Sequence, residues 1–327
     1  MKAMKALLCT RLGGPDDLEL QDLPAPVAGA GEVVVAVRAV ALNFFDTLII
    51  AGKYQRKPAL PFSPGAEFAG IVTAVGPGVT SVGPGDRVAG YIGEGAAREA
   101  VVVPAEVLVR LPDALAFERA AGVTVTYGTS LYALKNRARL QPGETLAVLG
   151  ASGGVGLAAV ELGRIIGARV IACASADDKL DFARAHGAAD GINYGRDDLK
   201  LSLRALTGGR GPDVVYDPVG GAYAEQALRA TAWLGRFLVV GFAAGEIPKM
   251  PLNLALLRNC DILGVNWGGW AARDPGGNRA NTAELMQWCA EGRLSAHVHA
   301  VYPLAQAKQA LNDIASRKVM GKAILRP

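Results

Sequence analysis

Residues 146–156 read Leu146-Ala147-Val148-Leu149-Gly150-Ala151-Ser152-Gly153-Gly154-Val155-Gly156. The first four are apolar and make a short buried-strand signal. Glycines follow at once, and Leu157 to Ile166 then carries apolar residues at helical spacing. Strand, glycine turn and helix, in that order, are the context a dinucleotide fingerprint needs. Glycine lets the backbone turn tightly and come close to a pyrophosphate, while the helix start offers unpaired N–H groups and a positive dipole end. Gly150, Gly153 and Gly156 match Gly-x-x-Gly-x-x-Gly, so Gly150, Ser152, Gly153, Gly154, Val155 and Gly156 are the candidate phosphate cradle. The competing reading is a strand-to-helix turn with no ligand; the flanking elements favour the site.

Working outward, the chain alternates strand and helix from Thr145. Strands are expected at Leu146–Leu149, Arg169–Ala174, Gly191–Tyr194, Asp213–Asp217, Gly235–Val240 and Asp261–Val265, with helices near 154–166, 177–186, 197–207, 222–231 and 252–258. Parallel strands need crossovers, so this alternation predicts an α/β fold, a doubly wound parallel sheet of six strands. Residues 1 to about 120 instead show short Val-rich strands between Gly and Pro clusters, which predicts a compact, mostly β domain. Helices are expected at Phe117–Ala121 and Gly128–Asn136. Past Trp270, Asp274-Pro275-Gly276-Gly277 reads as a loop, Thr282–Glu291 as a helix, His299–Pro303 as a strand and Leu304–Ser316 as a helix. Ala323–Arg326 reads as a strand returning to the first domain.

Composition narrows the function. The net charge is +4 with no dense Lys/Arg run, so neither nucleic acid nor a membrane surface is an expected partner. No apolar run approaches the ~20 residues of a membrane span. Met1 to Leu8 lacks the apolar core of a secretory signal, and Cys9, Cys173, Cys260 and Cys289 are scattered. A cytoplasmic protein with reduced thiols is expected. His297 and His299 share a strand face without a third ligand, so no metal site is expected there.

The second strand of the alternating half ends Ala172-Cys173-Ala174-Ser175, with no acid at its tip. A carboxylate there would serve the ribose 2′-hydroxyl of NAD and repel the phosphate of NADP. NADPH is therefore the expected cofactor, with Ser175 and Lys179 as phosphate partners.

Several segments together resemble the zinc-free quinone oxidoreductase branch of the medium-chain dehydrogenase/reductase superfamily. They are Asn43-Phe44-Phe45-Asp46-Thr47, Gly65-Ala66-Glu67-Phe68-Ala69-Gly70, Gly83-Pro84-Gly85-Asp86-Arg87-Val88, the glycine turn, Gly191-Ile192-Asn193-Tyr194, Asp217-Pro218-Val219-Gly220-Gly221, Gly241-Phe242-Ala243 and Gly321-Lys322-Ala323-Ile324-Leu325. The resemblance implies a Rossmann domain, 123–267, inserted in a split GroES-like catalytic domain, 1–122 and 268–327. Zinc-dependent relatives carry Cys where this chain has Asn43, His where it has Ala66, and a further thiolate near Ala120; Ile92 to Ala100 also lacks the Cys-rich loop of their structural zinc. Asn43 with Glu67 does not make a zinc site. Chemistry suited to such a cleft is hydride addition to an electron-poor acceptor, a quinone or an α,β-unsaturated carbonyl.

By the same resemblance Asn43, Tyr54 and Thr126 are the expected catalytic residues. Tyr194, Phe242, Ala243, Asn266, Trp267, Arg317 and Lys322 are expected to join the cofactor site, and the strand at 261–265 is expected to pair across a homodimer axis. Leu48 stands where many members have a second Tyr, so the pocket is expected to be less polar on that side. A reductase of enones or enoyl thioesters, with Lys53, Arg56 and Lys57 at a basic mouth, is the alternative enzyme. An NADPH-binding protein with a structural or regulatory task is the alternative of another class.

Overall fold

In the computed structural model, which describes residues 3–327, the chain divides into two compact units. The start of the segment read for a secretory signal, Met1 and Lys2, lies outside the described residues. One unit comprises 1–125, 282–292 and 296–327; the other comprises 126–281 and 293–295.

The first unit is mostly β. It begins with β1 (Ala3–Cys9), β2 (Leu18–Pro24) and β3 (Glu32–Leu42), followed by the short helix α1 (Phe44–Ile50). Then come β4 (Glu67–Val75), β5 (Arg87–Tyr91), β6 (Ala100–Pro104), β7 (Leu108–Arg110) and α2 (Phe117–Ala121). The sequence predicts strands at Lys5–Cys9, Val33–Val40, Gly70–Val75, Arg87–Tyr91 and Ala100–Val103, so β2, β7 and helix α1 have no counterpart there. Strand β2 is mostly exposed, and it forms by pairing antiparallel along the whole of β1. Tertiary pairing here overrides weak local preference.

The second unit opens with α3 (Thr126–Leu131), which runs into a π-helical turn at Tyr132–Arg137. It continues β8 (Thr145–Leu149), α4 (Gly154–Ile166), β9 (Arg169–Ala174), α5 (Asp177–Ala185), β10 (Asp190–Asn193) and α6 (Leu199–Leu206). Next are β11 (Val214–Asp217), α7 (Gly221–Ala230), β12 (Arg236–Val239), α8 (Asn253–Arg258), β13 (Asp261–Gly264) and α9 (Trp267–Arg273). The sheet order is β10-β9-β8-β11-β12-β13, all parallel. This is the doubly wound order with its switch point between β8 and β11, where ligands bind beyond the strand carboxyl ends.

Helix α10 (Pro275–Ala290) corrects the expected loop at 274–277. Asp274 accepts the Gly277 N–H at 2.9 Å, as an N-cap does, and Pro275 takes the first helical position, where it has no intrahelical bond to lose. The chain ends with β14 (Val298–Pro303), α11 (Ala307–Ala315) and β15 (Lys322–Arg326). Strand β15 lies between β14 and β3 in the sheet order β14-β15-β3-β4-β5-β7, with β6 also on β3, so the last strand does return to the first unit.

Each unit has its own core. Val35, Val40, Phe68, Val101 and Leu311 are among the buried residues of the first; Leu149, Ile171, Val215, Leu228 and Phe237 are among those of the second. No helix among the described residues is long and apolar enough to cross a membrane.

Helix α4 presses against the turn that precedes it. A Cβ placed on Gly156 would lie 2.1 Å from the Gly150 carbonyl oxygen, and Gly150 itself has φ +61°. Neither position accommodates a side chain without backbone movement. Gly156→Ala is expected to lower unfolding free energy by about 1–3 kcal/mol, as overpacking does. Gly83→Ala, whose Cβ meets nothing within 4 Å, is expected to stay within about 0.5 kcal/mol of wild type in the same urea titration.

Candidate active site

The first unit holds four buried polar side chains in one network: Asn43, Asp46, Glu67 and Lys322. Asn43 sits between β3 and α1, Glu67 opens β4, and Lys322 opens β15. Lys322 Nζ donates to the Leu42 carbonyl at 3.1 Å, to Asn43 Oδ1 at 2.7 Å and to Glu67 Oε1 at 2.9 Å. Glu67 Oε1 also accepts from Asn43 Nδ2 at 3.0 Å, and its Oε2 accepts from the Val125 backbone N–H at 2.7 Å. The orientation of the Asn43 amide follows from its neighbours. Reversing it would set an NH2 against an ammonium and an oxygen against a carboxylate. One N–H of Nδ2 is then left for another acceptor.

Asp46 caps α1, accepting the Asn43 N–H at 2.7 Å, and it accepts the Gly65 N–H at 3.1 Å. Burial pushes its carboxyl up to about 7, with these two N–H donors and the Lys322 ammonium opposing the rise. Tyr54 packs on the same core and stacks on Phe45 with ring centroids 5.6 Å apart. Burial, then the nearby Asp46, raises its phenol pKa. Arg317 is exposed just beyond α11, in a left-handed conformation with φ +59°.

Lys322 requires a correction. It was expected among the cofactor-phosphate partners, but it is buried and its three ammonium donors already bond inside the first unit. Its sequence context, a cation near the C-terminus, carried no sign of Glu67, which is 255 residues away.

In the second unit the expected cofactor residues gather at the carboxyl ends of the parallel strands. Gly153 is the N-cap of α4, and the N–H groups of Gly154 and Val155 belong to the first turn, which a helix cannot pair by itself. Ser152 is buried in that turn. A Cβ on Gly150 would lie 3.0 Å from Val219 Cγ2, so the loop after β11 packs on the glycine turn. That loop is folded by Asp217, whose Oδ1 accepts the Val219 and Gly220 N–H groups at 2.8 and 2.9 Å. Ala243 N–H bonds the Pro218 carbonyl at 3.0 Å, and Phe242 is part-exposed beside Gly220. Tyr194 follows β10 and packs on Tyr223 at 4.3 Å.

Ser175 is exposed at the tip of β9, and Lys179 is half-buried one turn into α5. Asp177 is drawn away from a ribose role. It accepts from Asn193 Nδ2 at 2.9 Å and pairs with Arg196 at 3.1 Å, which hold its carboxyl below the usual range. Arg196 was not singled out from sequence; its place two residues past Tyr194 becomes informative only when β10 is laid beside β9. This close-approach turn, with Ser175 and Lys179 after the next strand, Arg196 after the one beyond it and Asp177 already paired, fits a phosphate-bearing dinucleotide.

The remaining expectations fall out differently. Thr126 is buried at the start of α3, and its carbonyl accepts the Ser130 hydroxyl at 2.9 Å. Asn266 caps α9 through Gly269 N–H at 2.9 Å. Trp267 is buried under α3 against Gly128, and its indole N–H donates to Asn278 at 3.1 Å. Asn266 thus caps a helix and Trp267 packs against one.

Residues 29–113 match the alcohol dehydrogenase GroES-like domain, and residues 154–291 match the zinc-binding dehydrogenase family. The chain is 38% identical over 322 residues to quinone oxidoreductase-like protein 2 of Rattus norvegicus, covering 98% of this chain and 91% of that protein. A mycobacterial structure complexed with NADPH superposes with a TM-score of 0.92 at 32% identity, covering 99% of this chain and all of that one. Escherichia coli quinone oxidoreductase complexed with NADPH superposes at 0.89 with 30% identity, each chain 99% covered.

Lys322→Met leaves the Glu67 carboxylate buried without its cation and is expected to cost about 3–5 kcal/mol. Adding Glu67→Gln is expected to restore part of that loss in equilibrium unfolding. Asp46 gives a pH signature. Its folded value of about 7 lies above the unfolded value of about 3.9, so the folded protein binds more protons between the two and its stability falls as pH rises across that window. Carbon-13 NMR of the Asp46 carboxyl is expected to show a midpoint near neutrality, and Asp46→Asn to flatten the slope of stability against pH.

Proposed function

The chain belongs to the quinone oxidoreductase-like branch of the medium-chain dehydrogenase/reductase superfamily, and on that footing we propose that it is a zinc-independent, NADPH-dependent reductase of quinones. The observation that carries the zinc-independent reading is the state of Glu67. It is an acid in the right segment to ligate a metal, yet it is bonded by the Lys322 ammonium, the Asn43 amide and a backbone N–H. Asn43 and Ala66 supply neither thiolate nor imidazole, and no cluster of three or more His, Cys, Asp or Glu suited to a metal occurs among the described residues.

The chemistry that NADPH supplies when bound is hydride transfer. This chain's residues hold and orient. The glycine turn and first turn of α4 receive the pyrophosphate. Ser175, Lys179 and Arg196 receive the 2′-phosphate. The remaining Asn43 N–H and the Tyr54 hydroxyl, whose raised pKa keeps its proton in place at neutral pH, are the donors to a developing oxyanion. Both related structures in complex with NADPH support the cofactor reading. A coenzyme A thioester is less well served. Of the basic cluster Lys53, Arg56 and Lys57, Arg56 is already paired with Glu94.

We further propose a homodimer that pairs β13, the outer strand of its sheet, with its copy. Ile247, Leu252, Leu256 and Leu257 are all exposed in the adjoining segment, a patch that favours association. The four cysteines are free and buried, which suits the reducing cytoplasm in which we place it.

Purified protein is expected to oxidise NADPH with small quinones, to lack stoichiometric zinc, and to keep turnover in EDTA. Zinc at one per chain, with activity lost on chelation and restored on refilling, would overturn the reading. Lys179→Ala and Arg196→Ala are each expected to shift the NADPH:NADH ratio of kcat/KM roughly tenfold toward NADH, the loss of one charge-assisted hydrogen bond. Light scattering is expected to give twice the chain mass, falling toward the monomer in Leu256→Lys/Ile262→Lys.

A further inference from the structure

We propose that the first unit carries a second binding site, for a small apolar monocarboxylate, built around Arg98. The site does not rest on the proposed reductase activity. Strand β6, the segment before it and the loop at Pro26 line an open concavity of about 470 Å³, within the size range of small-molecule sites. Its walls include Pro26, Ile92, Val102 and Val107, and Arg98 lines it.

Arg98 is half-buried and has no carboxylate within ion-pair distance among the described residues. Its Nε is buried without a hydrogen-bond partner. Desolvation is the one influence on its ionisation, and it acts against the charge. The acids close to it in sequence are engaged elsewhere. Glu94, also on the wall, pairs with Arg56, whose Nη2 donates at 2.9 Å. Glu99 accepts the Lys5 backbone N–H at 2.8 Å. A guanidinium taken from water without an anion is unfavourable, and its fork of donors matches a carboxylate in two parallel bonds. Among the described residues, the site therefore has one uncompensated positive charge beside an apolar wall. A dianion such as phosphate would meet one free cation among those residues, would leave the apolar wall unused, and would lie near the Glu94 carboxylate.

Calorimetric titration with benzoate, benzamide and inorganic phosphate tests the assignment. Benzoate is expected to bind at least about tenfold more tightly than its uncharged amide and more tightly than phosphate, and Arg98→Gln is expected to weaken benzoate by about 10–100-fold, with Arg98→Lys intermediate. In wild type, NOEs from the benzoate ring are expected on the Val102 and Val107 methyls, a readout that needs no variant to fold. Equal binding of benzoate and benzamide, no benzoate binding, phosphate binding as tightly, or benzoate affinity untouched in folded Arg98→Gln would each overturn the proposal. NOEs to methyls of the second unit instead would also overturn it.

Discussion

The buried pair between Lys322 and Glu67 is the interaction on which the candidate site depends. It joins the last strand of the chain to the fourth and fixes the amide lying between them. A charge pair this deep is a poor source of net stability, because desolvation offsets most of the Coulombic gain. Its effect is on geometry. Ammonium, carboxylate and amide satisfy one another in a single arrangement, and any other arrangement leaves a buried charge unpaired. The same pairing explains how Glu67 tolerates complete burial in a segment where metal-binding relatives supply ligands. A fixed cation from the protein's own backbone strand occupies its oxygen.

A different constraint organises the second unit. There the backbone of α4 comes so close to the end of β8 that only hydrogen fits on Gly156. That close approach sets the helix start directly beyond the strand tip. The loops after β9, β10, β11 and β12 then converge on the same edge, because parallel strands all end at the same side. Asp177 is held by Asn193 and Arg196, whereas Ser175 stays exposed. Specificity for a phosphate arises as much from where an acid is restrained as from where a lysine stands.

Some local structure follows directly from its sequence context and some does not. The glycine turn was legible because its chemistry is local: strand signal, φ-permissive residues and helix signal are contiguous. The contacts of Trp267 and Asn266 with Asn278, Gly128 and Gly269 come from helix packing and capping, which a position after the last strand of the sheet does not announce. The loop expected at 274–277 is a helix start, since Asp-Pro-Gly-Gly carries the marks of both a turn and an N-cap, and the choice fell to the Asp274 bond with Gly277. Strand β2 was invisible because its residues alternate too weakly to mark a face; pairing with β1 defines it.

Local sequence sets the alternation that makes a doubly wound sheet, the placement of its glycine turn, the missing thiolate and imidazole at positions 43 and 66, and the return of the final strand to the first unit. These follow from short-range periodicity and residue chemistry. Only the tertiary structure decided the partner of Lys322, the orientation of Asn43, the raised pKa of Asp46, the restraint of Asp177 and the isolation of Arg98. Each of these depends on groups brought together from distant parts of the chain, or on the exclusion of water around them. Neither is encoded in any single stretch.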